Sequence, residues 1–391
     1  MSDMAQAGAQ PAAAPALVPP LEPSRPVYDG RLRELYAIYL RHLVFMVLTL
    51  GWSRFWGRTR LRRYLWSHLA ILGDRFEYRG RGLELFLGFI IVLLALGLWG
   101  GVVWAAWKYV FDGPLPGNMG LFDLYYLSIA LVGFPLAFAG QYTSLRYRLT
   151  RTRWRGIRLG LGGSAWRYGF VASFLTFANT VTVNLLQPVV SVALAKPRIA
   201  NVQLGSQPFE FAGRAGDVYG RYIGYYFLNI LAWVVAAGIG VAIFMQVFKD
   251  NVTAPEDLIT VFSQPGLRTV ILMVIAGIAI YLLFGLLVLP LRCWWQAYLL
   301  RYLVSRTRAG PILFASSLTT GHMWGFMVLN YLIVLLTLGV GWPWVMHRTL
   351  RLIASEVWIY GVPDGAAITQ SAELGPRVGE GLLDMFDVSG V

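Results

Sequence analysis

Uncharged apolar runs alternate with short, arginine-dense stretches along most of the chain. Four runs reach 22 residues or more without a charge: Leu85 to Trp107, Leu124 to Leu145, Tyr222 to Phe248 and Thr269 to Leu291. A helix of 22 residues rises about 33 Å, enough to cross a hydrocarbon core about 30 Å thick. The pattern therefore predicts membrane-spanning helices in two pairs. The loop inside the first pair, Lys108 to Asp123, has one basic residue, and the loop inside the second, Lys249 to Arg268, contains Asp250, Glu256 and Asp257. The stretches outside the pairs are basic, with eight arginines from Arg54 to Arg81, six from Arg146 to Arg158 and four from Arg292 to Arg308. Basic loops stay on the cytoplasmic side. The basic stretches and the N-terminus are thus expected in the cytoplasm, with both within-pair loops outside.

Three further apolar segments, Leu35–Trp52, Tyr168–Ala195 and Met323–Met346, have basic residues near both ends. A single crossing would leave one basic end outside. A re-entrant segment keeps both ends inside, and needs protein or water to cover its broken backbone. The second segment contains Asn179, Thr180, Thr182, Asn184 and Gln187, followed by Pro188. Two readings stay open for this set. It bonds to neighbouring helices, or it lines a solute pathway at a broken helix.

Shorter stretches alternate with a period of two beside glycines, which predicts strands. They are Asp74–Arg79, Arg153–Arg158 and Gln207–Phe211, with Pro311–Phe314 and Val357–Tyr360 as weaker examples. Together they predict a small cytoplasmic sheet. The fold class is then mainly α: a polytopic transmembrane helical protein with short cytoplasmic β-strands.

Internal repetition organises these elements. Tyr28-Asp29-Gly30-Arg31, followed by Glu34, recurs as Tyr78-Arg79-Gly80-Arg81 with Glu84, and as Phe211-Ala212-Gly213-Arg214 with Asp217. Arg146-Tyr147 with Arg151-Thr152-Arg153 recurs as Arg301-Tyr302 with Arg306-Thr307-Arg308. Leu48-Thr49-Leu50-Gly51 recurs as Leu336-Thr337-Leu338-Gly339. These matches predict a tandem repeat with units at 28–160 and 161–315 and a partial closing unit at 316–361. An Ala/Pro-rich tail, 1–27, lacks the apolar residues to fold. An acidic tail, 362–391, has a short apolar patch at Leu382, Leu383, Met385 and Phe386.

At these motifs the sequence resembles the YjgN-like family of bacterial inner-membrane proteins, whose function is unknown. The motifs that carry the resemblance are Tyr28-x-Gly30 with Glu34-Leu35, Leu48-Thr49-Leu50-Gly51 with Trp56, and Arg62-Arg63-Tyr64. They continue with Gly73-x-x-Phe76-x-Tyr78-x-Gly80, Trp154-Arg155-Gly156-Ile157-Arg158 and Gly163-Ser164-Ala165-Trp166-Arg167-Tyr168. The family's Pro-Trp after the Thr-Leu-Gly segment is complete only at Pro343-Trp344. The resemblance implies a multi-pass inner-membrane protein of repeated helical architecture and supplies no catalytic residues.

Composition narrows the chemistry. The chain is 57% hydrophobic and 14% charged, and its net charge is +13. Because the arginines alternate with membrane segments, anionic phospholipid headgroups are the expected partner, and nucleic acid is not. Cys293 is the only cysteine, which excludes an intrachain disulfide; between Arg292 and Trp294 it reads as a helix end. The four histidines are scattered and no hydrolase or metal motif is present, so no cofactor and no enzymatic activity are expected. Gly160-x-Gly162-Gly163-Ser164 reads as a turn into a helix. Arg151, Arg153, Arg306 and Arg308 read as anchors at the membrane face, or as contacts to a headgroup or other phosphate, because the guanidinium fork matches it. Glu34, Glu84 and Asp217 recur where an apolar helix begins. The helix dipole favours a carboxylate there, and the same carboxylate can latch onto a cytoplasmic arginine. The expected function is non-enzymatic, with a basic face against anionic lipid or an unidentified protein partner. The alternative is a transporter or channel for a small solute, using residues 179–188.

Overall fold

The computed structural model describes residues 23–109, 128–248, 267–362 and Thr369. The expectations for both tails and both within-pair loops lie almost entirely outside these residues. The elements run β1 (Val27–Tyr28), α1 (Leu32–Leu48), α2 (Arg54–Ser67), β2 (Leu69–Ile71), β3 (Asp74–Tyr78) and α3 (Gly82–Tyr109). A π-helical turn over Ile129–Gly133 leads into α4 (Phe134–Thr150), β4 (Thr152–Trp154), β5 (Ile157–Leu161), α5 (Ala165–Val181), α6 (Gln187–Ala200), β6 (Val202–Leu204) and β7 (Gln207–Phe211). The chain continues through α7 (Gly216–Phe248), α8 (Leu267–Ser305), β8 (Thr307–Ala309), β9 (Ile312–Ser316), α9 (Thr320–Leu336), α10 (Trp342–Glu356) and β10 (Val357–Tyr360).

The strands form one antiparallel sheet in sequence order, β1 to β10. An isolated bridge between Ser24 and Ile359 ties the chain just before β1 to β10, so the two ends of that order meet. Side chains from across the sheet gather in one core, where Ala309, Ile312 and Ile359 pack with Ile71, Phe209 and Phe314. Tight turns and helix pairs alternate as connections. The turns are Leu72-Gly73 and Arg155-Gly156, with both residues at positive φ, and Gly205-Ser206 and Gly310-Pro311, with glycine first. These conformations match the twist of a two-residue hairpin.

Each helix pair leaves the sheet and returns to the adjacent strand. Among the described residues three helices are long and apolar enough to cross a membrane, Gly82–Ala106, Gly216–Ile243 and Val270–Ser305. The helices that hold them, α3, α7 and α8, contain three of the four expected runs, and the fourth continues from Ser128 through α4. The α8 helix does not stop at Cys293. It runs on to Ser305, and Cys293 is fully buried against Met323 and Met327. The flanking Arg292 had suggested a helix end, but a small thiol packs readily mid-helix.

The three ambiguous segments are helical hairpins, α1/α2, α5/α6 and α9/α10. Their first helices have 17 residues each, a rise of about 26 Å, and the chain then turns back. The tips explain the Thr-Leu-Gly repeat. Two consecutive residues adopt left-handed backbone at each tip: Leu50 (φ 49°) and Gly51 (φ 90°), Val183 (51°) and Asn184 (66°), Leu338 (48°) and Gly339 (89°). Only glycine, and less readily asparagine, adopts this conformation at little cost. The second residue donates its N–H back to close the helix, from Gly51 to Met46 O at 2.7 Å, Asn184 to Asn179 O at 2.7 Å and Gly339 to Val334 O at 3.1 Å. The preceding threonine completes the tip: Thr49 donates to Phe45 O and accepts from Ser53 N–H, and Thr337 repeats this with Ile333 and Gly341.

Candidate functional site

Where helix pairs meet the sheet, the repeated carboxylates find tyrosines. Tyr64 donates to Glu34 Oε2 at 3.0 Å, Tyr147 to Glu84 Oε2 at 2.9 Å and Tyr302 to Asp217 Oδ2 at 2.8 Å. Each bond joins the start of the first helix of a pair to the end of the second. Arg151 pairs with Glu84 at 2.9 Å and Arg306 with Asp217 at 3.4 Å. At the first site His68 stands four residues after Tyr64, where Arg151 and Arg306 follow their tyrosines, and stacks on the tyrosine at 4.1 Å. Burial pushes the Tyr147 phenol well above its ordinary pKa, with smaller contributions from Tyr78 and Glu84. It stays a donor.

The first long pair adds a second feature. On β3, β4 and β5 alternate side chains share a face. Phe76, Trp154 and Ile157 lie in register on one face, and Glu77, Arg153 and Arg158 on the other. Beside this second face is a cavity of about 330 Å³ lined by Arg79, Arg81, Arg151, Arg153 and Arg158, with Glu84 and Thr150. Five guanidinium groups thus surround one carboxylate, and that carboxylate is bonded to Arg151. Glu77 is drawn to Arg79 at 2.9 Å. Among the described residues Arg81 and Arg153 have no carboxylate partner, and Arg153 sits directly across from Arg158. Like charges opposed across a sheet destabilise it by roughly 0.2–1 kcal/mol.

The second long pair lacks this excess. Arg214, Asp217, Arg306 and Arg308 repeat the positions of Arg81, Glu84, Arg151 and Arg153. Ala212 and Leu313 replace Arg79 and Arg158. Glu210 is free to accept from Arg308 Nε at 2.7 Å. The arginine motifs, equivalent in sequence, are therefore electrostatically different.

The family model for bacterial proteins of unknown function, DUF898, matches residues 23–385. The chain belongs to this family. It is also similar to inner membrane protein YjgN of Salmonella typhimurium (strain LT2), with 25% identity over 185 residues, 46% of this chain and 42% of that protein. The match thus spans less than half the length of the curated relative. No solved structure matches the chain.

In this DUF898 chain the polar set of α5 and α6 is turned onto itself. Asn179 Nδ2 donates to Asn184 Oδ1 and to Gln187 Oε1, both at 2.9 Å, and Gln187 Nε2 donates to Ser191 at 3.3 Å. Thr180 and Thr182 donate to the carbonyls of Thr176 and Ala178. Tyr222 of the next helix donates to Asn184 O at 2.5 Å. Asn184→Ala removes one of these bonds and keeps an unfavourable φ, so it should lower stability by about 1–2 kcal/mol. Asn184→Gly should lose less, and equal thermal midpoints for the two variants would contradict this account.

The Gly160–Ser164 stretch leads from β5 into α5, where Ser164 accepts the N-capping bond from Arg167 N–H. Among the described residues no group of three metal-ligating side chains forms. Sequence reasoning passed over the tyrosines of the latches. Their signal was present, since Tyr147 and Tyr302 keep a fixed place in the repeated Arg-Tyr motif.

Proposed function

We propose that this protein is a non-enzymatic, multi-pass inner-membrane protein, built from a tandem repeat with its sheet in the cytoplasm. The arginine cavity of the first long pair holds the phosphate group of an anionic lipid. The excess of guanidinium at Arg81 and Arg153 carries this reading. Its location supports it as well. Arg79 and Arg81 stand immediately before α3, at the end of an apolar span, where headgroup phosphates lie. The guanidinium fork pairs with phosphate oxygens in a bidentate way. The inner-membrane assignment draws on the similarity to YjgN.

Each basic residue near an anionic surface contributes about 1 kcal/mol. Arg81→Gln with Arg153→Gln should therefore weaken binding of phosphatidylglycerol by roughly 30-fold. Arg308→Gln, at a position already neutralised by Glu210, should change it less than about threefold. Titration of the purified protein with phosphatidylglycerol in neutral nanodiscs measures both. An unchanged affinity in the double variant would refute the assignment.

A further inference from the structure

The helix pairs stand on the sheet in the order short, long, short, long, short. Five pairs cannot alternate around a closed ring. Two short pairs, α1/α2 and α9/α10, consequently become neighbours across the Ser24–Ile359 bridge, with no long pair between them. A cleft of about 1610 Å³ opens there, between β1 and the start of α1 on one side and α9 and α10 on the other. This exceeds the volume of ordinary small-molecule sites, about 300–1,000 Å³.

The cleft changes in character along its length. Trp344, near the hairpin tip, is followed on the same face of α10 by Arg348 and Arg351, one and two turns closer to the sheet. Phe326 and Leu329 extend the apolar lining on α9. Arg33 of α1 lines the sheet end. Among the described residues Arg33 and Arg351 have no carboxylate partner, while Arg348 donates to Asn330 Oδ1 at 2.9 Å and lies over the Phe326 ring. The acids that line the cleft are already engaged: Asp29 pairs with Arg75, and Glu356 accepts from Ser317 and lies 2.8 Å from His322. Leu329 and Trp344 remain about two-fifths exposed.

We infer that this cleft holds one anionic glycerophospholipid taken from the surrounding bilayer. Its phosphate lies against Arg351 and Arg33, and an acyl chain runs along Phe326, Leu329 and Trp344. The match is in the order of chemistry along the cleft: cationic beside the sheet, apolar towards the hairpin tip. A soluble phosphate compound would leave the apolar wall uncovered. This cleft and the arginine cavity lie at different places on the ring, so either can fail without the other.

Native mass spectrometry of the full chain, released from detergent after incubation with phosphatidylglycerol, phosphatidylcholine or inorganic phosphate, tests the site. A Cβ added at Gly325, which lines the cleft, meets nothing within 4 Å, so the side chain of Gly325→Trp starts in open space. Gly325→Trp and Arg351→Gln should each reduce the number of retained phosphatidylglycerol molecules by one. Melting behaviour should stay unchanged, phosphatidylcholine should not be retained, and inorganic phosphate should not compete. Should Gly325→Trp fail to fold, Arg351→Gln decides alone. Undiminished retention in Arg351→Gln would overturn the site, and so would equal retention of phosphatidylcholine or displacement by inorganic phosphate. Loss of lipid in the Arg81/Arg153 double variant alone would keep the arginine cavity and eliminate the cleft.

Discussion

Gly169→Leu is expected to leave no correctly assembled protein. Gly169 lies in α5 where that helix crosses α4 at close range. A Cβ at this position would come 2.3 Å from the Pro135 carbonyl oxygen and 3.0 Å from Ala139 Cβ. The first obstacle is backbone, so no rotamer change relieves it. The helices cannot easily separate either. Tyr142 of α4 stacks on Tyr168 of α5 at 4.8 Å, and its hydroxyl donates to Gly162 O at 2.7 Å. Overpacking a core ordinarily costs about 1–3 kcal/mol, and a backbone clash held on both sides belongs at or beyond the top of that range. Gly224→Leu in α7 is the matched control. Nothing lies within 4 Å of a Cβ there, and leaving glycine should raise helix stability by up to about 1 kcal/mol. Size-exclusion profiles after detergent extraction separate the two. Equal recovery of both variants would show that the α4–α5 contact is looser than described.

Removing the carboxylates of the three latches should produce a graded loss of stability, greatest at Glu84. Tyr147 is 2% exposed, so Glu84→Ala strands a buried hydroxyl and the Arg151 guanidinium together. An orphaned buried polar group costs about 1–3 kcal/mol. Because the Arg151 and Glu84 side chains are 26% and 30% exposed, solvent softens the loss to about 2 kcal/mol. Asp217→Ala should cost less, since Arg306 stands farther off and the pair is more exposed, at 48% and 38%. Glu34→Ala should cost least, about 0.5 kcal/mol, because Arg31 is 81% exposed at 3.7 Å. Thermal midpoints under one detergent condition rank the three. A Glu34 variant as damaged as the Glu84 variant would contradict the assignment of the energy to burial.

The apolar runs are legible because a membrane-crossing helix needs some 20 consecutive residues that no soluble loop imitates. The strand Gln207–Phe211 is legible for a related reason, since its alternation spans five residues. Leu69–Ile71, Val202–Leu204 and Thr307–Ala309 have three residues each, too few to show a period of two. The stretch expected as one strand at Arg153–Arg158 is a hairpin, because Arg155 and Gly156 both take positive φ. For the candidate site, Arg151 and Arg153 follow from the repeated motif. Their difference from Arg306 and Arg308 does not. It depends on which residue lies across the sheet, Arg158 or Leu313, and cross-strand register is absent from a linear pattern.

The bridge that closes the sheet joins residues separated by 335 positions. A ribosome adding about 5–20 residues per second needs on the order of tens of seconds to travel that far. Until then the outer edge of β1 lacks its closing strand and is open to pairing with any exposed strand. Closure of the sheet then waits for β10, and a nascent chain stalled before Val357 would keep an open seam.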